Sequence, residues 1–494
     1  MDSARPNGKL QDVLLVVTVC LATFMLLLDL TVINVALPSI QREFQADFRS
    51  LQWALDAYAL GLVVALVAAG TAADRWGKLR VFLVGLVVFT VASGACGIAT
   101  SMTQLNASRF LQGLGGAVLF AVGPALLSER FTGTARNRAI GLLGATAGLA
   151  IAVGPLIGGA ATDFYDWRWI FFLNVPIGVV AIGSIVVQRD WRRRAQPGKP
   201  IDLVGLALFT AACFTSVLGF LEAGQASWTS NLTVTLLNAS VLLSVALVLQ
   251  QRGAAHPLFE VEHFRNRTFN GLNIATFLFG LGTMAGVFLM VAYVQQVLQY
   301  TPWETGLRFL PLTLAVFVAA AVTGSIESIP KHLTVGIAVG LVGLGLLLVP
   351  LVVEPGSDWT AVIPACVLVG AGMGMFNPPR AYLSVSVAEP SKAGMTSAIN
   401  ETAQQLGVLL GVAALGSFFE TRLHGVTAAD PAAFRIAFVD SLGDTMIVAA
   451  ALCLVGSAVA FAMIGPTGVH VSAHDAELDA LLDDALDERK SVDA

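Results

Sequence analysis

Runs of about twenty apolar residues recur along the whole chain, and each has the length a helix needs to cross a hydrocarbon core of roughly 30 Å. Hydrocarbon offers no water to open backbone groups, so such runs must satisfy their hydrogen bonds internally, as helices. Composition agrees: 56% of the 494 residues are hydrophobic and 12% charged, against roughly 25% charged in a soluble domain. No water-soluble fold of this size hides that much apolar surface. An all-α membrane protein is therefore expected.

The hydropathy pattern predicts fourteen spans. Six (13–40, 51–73, 79–99, 104–128, 138–160 and 169–188) form a first bundle over 13–188. A polar, breaker-rich cytoplasmic linker at 189–200 follows, with Trp191-Arg192-Arg193-Arg194 and Pro197-Gly198-Lys199-Pro200. Two additional spans, 201–222 and 232–250, lie within 201–250, and 251–267 is a second cytoplasmic connection. The last six (268–297, 307–327, 333–353, 359–386, 394–419 and 440–464) form a second bundle over 268–464. Residues 1–12 make a short cytoplasmic N-terminus and 465–494 an acidic tail with Leu478, Leu481, Leu482 and Leu486 at helical spacing. The first apolar run continues to Pro38 without a small-residue cleavage site, so it is read as a retained helix.

Lys and Arg near helix ends are held in the cytoplasm, which sets orientation. With both termini inside, only Arg42, Arg49, Arg168, Arg308, Arg422 and Arg435 of the 28 basic residues fall outside, and Arg109 and Arg380 fall within spans. One span more or fewer would scramble this separation. A net charge of -5 gives no support for nucleic acid as a partner. The five cysteines lie singly inside apolar segments, so neither a disulfide framework nor a metal site is readable.

Ionisable groups inside spans cost about 2.5–3.5 kcal/mol each on insertion scales and ask for a reason. Asp29, Asp56 and Arg109 all fall in the outer half of the first bundle, at depths where they can cluster. One Arg facing two carboxylates can hold one ionised while the other takes up a proton. Two readings of each stay open: Arg109 as coupling group or structural pin, Asp56 as coupling group or headgroup-level carboxylate. In the second bundle Arg380 and Glu401 fall at similar depth on adjacent helices near the cytoplasmic side, as an ion pair or a substrate group. Small-residue stripes mark the fourth and fifth spans, and Pro155 adds a bend to the latter.

These motifs, in order, resemble the major facilitator superfamily, and within it the fourteen-helix drug:proton antiporters. Gly70-Thr-Ala-Ala-Asp74-Arg75-Trp-Gly77-Lys78-Leu-Arg80 is similar to the family's cytoplasmic loop between the second and third helices, which implies a gating role for Gly70, Asp74, Arg75, Gly77, Lys78 and Arg80. The corresponding loop of the second bundle, from Gly324 to Lys331, keeps only Glu327 and Lys331 as charges, so the lock is expected to be lopsided. Arg109 through Gln112-Gly113 to Ala117 resembles the fourth-helix motif linked to proton coupling. Gly141 with Gly154-Pro155-Leu-Ile-Gly158-Gly159 resembles the fifth-helix antiporter motif, with Ala150 in place of one glycine. Leu28-Asp29 through Asn34 to Pro38, and Trp167 through Asn174 to Gly178, are similar to the first- and sixth-helix signatures of the drug antiporters.

The resemblance implies two six-helix bundles, each a pair of inverted three-helix repeats, rocking about a central cavity. It implies a monomer in a bacterial cytoplasmic membrane that exports lipophilic cationic drugs or other small molecules against protons, with no cofactor beyond the proton gradient. A dedicated exporter of one natural product, lipid or peptide, or an importer of the same fold, is the alternative. Phe24, Met25, Asn34, Gln112, Phe120, Phe279, Met284, Arg380 and Glu401 are the candidate cavity residues.

Overall fold

The computed structural model describes residues 6–131, 133–188, 202–255, 257, 264–325, 330–387, 393–423 and 431–465. The linker at 189–200, residues 256 and 258–263 of the 251–267 connection, Glu327 and the acidic tail from 466 lie outside the described residues. Within them the chain is helical without a strand. The first bundle holds α1 (Pro6–Phe44), α2 (Phe48–Trp76), α3 (Lys78–Gly97), α4 (Met102–Arg130), α5 (Gly133–Phe164), α6 (Trp169–Phe172) and α7 (Asn174–Gln188). A hairpin of α8 (Leu203–Gln225) and α9 (Asn231–Gly253) follows. The second bundle holds α10 (Arg267–Ala292), α11 (Pro302–Arg308), α12 (Leu310–Ser325), α13 (Lys331–Val352), α14 (Ile363–Ser386), α15 (Ala393–Leu423) and α16 (Pro431–Met463).

Eleven stretches are long and apolar enough to cross a membrane, or twelve if the bent pair α11–α12 is one span. With α2 and α5, 29 and 32 residues long, this is compatible with the fourteen expected. Two spans are less regular than their hydropathy suggests. The sixth changes its hydrogen bonding at Leu173 between α6 and α7 while keeping helical φ and ψ, and the tenth bends by 42° between α11 and α12.

Local chemistry places many of the helix starts. Asp47, Ser101, Asp202 and Ser230 each accept from the backbone N–H three residues on, and Asn266 accepts from two. These caps satisfy donors that the first helical turn leaves open. Thr301 and Glu304 form a reciprocal capping box that starts α11. Gly77 is at once the last cap of α2 and the first of α3, at φ 95°. A side chain there would be strained, so the tight turn between α2 and α3 needs this glycine.

One apolar core lies within the first bundle and a larger one runs from α1, α2 and α6 into the second bundle, and helices approach to backbone contact at glycines. A Cβ on Gly61 would fall on the Phe110 carbonyl and one on Gly113 on the Tyr58 carbonyl, which locks α2 to α4. Gly407 against the Phe277 carbonyl does the same for α15 and α10. The bundles meet at the end that carries the C-terminus of α1 and the N-terminus of α2. There Gln52 Nε2 donates to the Val412 carbonyl at 3.0 Å and Gln295 Nε2 to the Val35 carbonyl at 3.1 Å. On the opposite flank Gly159 abuts the Pro302 carbonyl and Gly306 the Pro155 carbonyl, with Phe164 and Trp303 in ring contact.

Candidate functional site

Asp29 on α1 and Arg109 on α4 are brought into direct contact, Nη1 to Oδ2 at 2.5 Å, at 0% and 1% exposure. The pair is well supplied with further partners. Gln112 Nε2 donates to Asp29 Oδ1 at 2.8 Å and Asn174 Nδ2 to the same oxygen at 3.1 Å. Both amides also donate to Ser93 Oγ, which donates to the Phe171 carbonyl. The guanidinium donates through Nε to the Ala54 carbonyl and through Nη1 to Gln112 Oε1, and lies 4.2 Å over the Tyr58 ring. Charges buried from water are retained only with such geometry, since desolvation otherwise outweighs their attraction. Asp29 and Arg109 lie at matching depth, as their positions along the two spans predict; Gln112, expected at the cavity, is instead a ligand of the Asp29 carboxylate.

Asp56 is buried to 1% exposure, and neither of its carboxylate oxygens has a hydrogen-bond partner. It lines a small cavity of about 20 Å³, room for something the size of a water molecule, together with Asn34, Tyr58 and Arg109 of the first bundle and Met284, Val408 and Val412 of the second. Asn34 Oδ1 is likewise without a donor. Buried polar atoms in native folds nearly always have partners, so three orphaned acceptors beside one cavity mark it as a place where water, a proton or a ligand completes the bonding. Arg109 links this cavity directly to Asp29. Tyr58 is a site residue that sequence reasoning misses, although an aromatic residue two positions after a buried acid is a usable signal. Ser93, one hydroxyl in an apolar run, gives a weaker one.

The remaining candidates fall in several places. Met25 is fully buried in the first bundle's core, with Phe120 packed at its edge, and Phe24 on α1 is half-buried. Phe279 stacks on Phe376 with ring centroids 3.9 Å apart inside the second bundle. Of the candidate cavity residues, Asn34 and Met284 line the cavity described. Gly154 and Gly158 seat against Thr31 and Val32 of α1, while Pro155 and Gly159 face α11 of the other bundle. The fifth-helix motif thus sits on the seam between bundles, with Gly141 further down α5. Around the α2–α3 turn Lys78 pairs with Glu129 at 2.7 Å, Arg75 is exposed with its guanidinium 5.9 Å from the Trp76 ring, Arg80 is half-buried and Gly70 has open space beside it. The Asp74 side chain lies outside the described residues.

Arg380 on α14 and Glu401 on α15 meet at 2.9 Å, at 9% and 8% exposure. Asn400 accepts from Arg380 and donates to Asn273 and Thr276 of α10, and Gln405 donates to Glu401. The pair therefore ties three helices of the second bundle. Arg380→Ala and Glu401→Ala are expected to be non-additive, with a coupling of about 0.5–3 kcal/mol in thermal unfolding of the purified protein. Additive single effects would show that the pair contributes nothing.

Known proteins share this sequence and this architecture. A family model described as Major Facilitator Superfamily matches residues 19–412. The chain is 33% identical over 401 residues to multidrug resistance protein Stp of Mycobacterium tuberculosis, covering 80% of this chain and 74% of that protein. It is 34% identical over 420 residues to puromycin resistance protein pur8 of Streptomyces alboniger, covering 84% and 82%. Among solved structures, a bacterial homologue of the human lysosomal transporter Spinster, inward-facing and unoccupied, aligns with a TM-score of 0.63 over 94% of this chain and 98% of that one. Identity there is 14%, so the likeness is one of fold.

Proposed function

The chain belongs to the Major Facilitator Superfamily, and from that premise we propose that it is a proton-coupled antiporter exporting lipophilic cationic drugs or other small molecules from a bacterial cytoplasm. That it is a multi-pass membrane transporter of small molecules follows from the family itself. Export of drugs is supported by relatives that confer multidrug and puromycin resistance. Proton coupling is supported above all by one observation: Asp56, with no donor on either oxygen, lines a cavity shared by both bundles and by Arg109.

An unpartnered buried anion is costly, and the cost is relieved by a proton, by entering water or by a cationic substrate. Asp56 is the group that exchanges H⁺ for substrate. Asp29, held by Arg109 and two amides, keeps the arginine in place while this happens. Coupling needs only that proton and substrate favour the two facing states unequally. The segregation of Lys and Arg puts both termini in the cytoplasm. On that orientation the seam made by Gln52, Gln295 and Gly159 is the outer one, and the bundles are in contact at that end.

The test is transport by purified protein in liposomes with an acidic lumen, using puromycin and a panel of lipophilic cationic dyes. Accumulation that rises with the pH difference and collapses on adding a protonophore is expected. Uptake that ignores the gradient would leave a transporter of another coupling type.

A further inference from the structure

The residues lining the cavity described come from the two bundles, with none from the α8–α9 hairpin. What the hairpin touches is the membrane side of one seam. Leu60 and Val63 of α2 and Leu409 and Ala413 of α15 form a single apolar cluster with Cys213 and Val217 of α8. Their neighbours on the same two helices, Asp56 and Ala59 on α2 and Val408 and Val412 on α15, face the cavity. The α2–α15 seam is thus one helix thick, with an orphaned carboxylate on its inner side and α8 on its outer side. On the other flank, where α5 meets α11 and α12, no further helix packs across α5 and α12 among the described residues.

The hairpin is cross-tied into one piece. Ser240 Oγ donates to the Ala212 carbonyl, Gln250 and Gln251 both donate to the Asp202 carboxylate, and Gly219 seats against Leu237. It is fastened to α15 at close range, since a Cβ on Gly224 would lie 3.0 Å from Ser417 Cα. Toward α2 it presents side chains to Ala59, Leu60, Val63 and Val64, with Phe214 in ring contact with Trp53. A body locked to one bundle and laid on aliphatic and aromatic side chains of the other can travel with the first and slide over the second. Small sliding of packed helices is the shear form of domain motion.

We propose that the α8–α9 hairpin is a sliding lateral seal, riding on α15 and keeping acyl chains out of the Asp56 cavity along the α2–α15 seam while the bundles move. The seal rests on the fold; only its use in an export cycle rests on the function proposed above. It is tested on the full chain in lipid bilayers with a maleimide that partitions into the membrane, modification being read peptide by peptide so that native cysteines can stay. Leu60→Cys, under α8, is expected to react about tenfold more slowly than Val318→Cys, which is exposed on α12, because reaction needs a local opening. Adding Phe209→Ala with Val217→Ala, which thins the α8 face, should bring the Leu60→Cys rate up to that of Val318→Cys. Equal rates with the hairpin intact would overturn the proposal, as would an unchanged Leu60→Cys rate in the thinned variant. If the thinned variant does not insert, the first comparison decides alone. Labelling needs no transport, so the two rates decide for or against the seal even in a protein that moves no drug.

Discussion

Arg109→Ala is expected to abolish gradient-driven export and to lower the stability of the purified protein by about 3–5 kcal/mol, because it strands a buried carboxylate without its counter-charge. The loss is large against a total of about 5–15 kcal/mol for a folded domain. Asp29 would keep the Gln112 and Asn174 amides, but amide dipoles replace only part of an ionic partner. The Ala54 carbonyl and Gln112 Oε1 would lose a donor as well. Arg109→Lys separates charge from shape: a single ammonium cannot serve Asp29, Gln112 and Ala54 in the fork geometry that guanidinium provides. It should fold better than the alanine variant yet transport poorly. Thermal unfolding in detergent and liposome transport read the two effects; an alanine variant with native stability and native transport would remove the pair from any central role.

Asp56→Asn is expected to behave in the opposite manner, folding normally while losing coupling. Neither Asp56 oxygen has a partner, so the isosteric amide breaks no hydrogen bond and removes an unpartnered carboxylate, and stability should not fall. Uphill accumulation driven by a pH difference should fall at least about a hundredfold, since the carboxylate proposed to exchange the proton is gone. Exchange of substrate down its own gradient should persist, because the cavity walls are unchanged. Undiminished uphill transport by this variant would move the proton site elsewhere, with Asp29 the next to examine.

Much of the architecture is legible in the amino-acid sequence because lipid imposes a strong rule: apolar length means a spanning helix, and basic loops mean cytoplasm. Depth is legible too, as a helix rises a fixed 1.5 Å per residue, which places Asp29 and Arg109 at one level. Azimuth is not. Whether a residue on a given turn faces cavity, core or lipid depends on which helices pack beside it, and these helices are apolar on all sides. Met25 in the core, Met284 at the cavity and Gln112 on Asp29 look alike in the sequence for that reason. The change of hydrogen bonding at Leu173 and the bend before Leu310 are hidden because hydropathy runs straight through both. The small residues of α5 are readable as close contact, but that Gly159 and Pro155 meet the other bundle while Gly154 and Gly158 meet α1 requires the packing itself.

The closure between the bundles at the α1–α2 end is made of carboxamides, main-chain carbonyls, glycines and apolar side chains, groups that bear no formal charge. A clasp of that kind is indifferent to brine, where ionic contacts would be weakened by screening. Passing between dilute and salty media would leave these contacts unaltered, so that only the buried carboxylates remain to sense the surroundings.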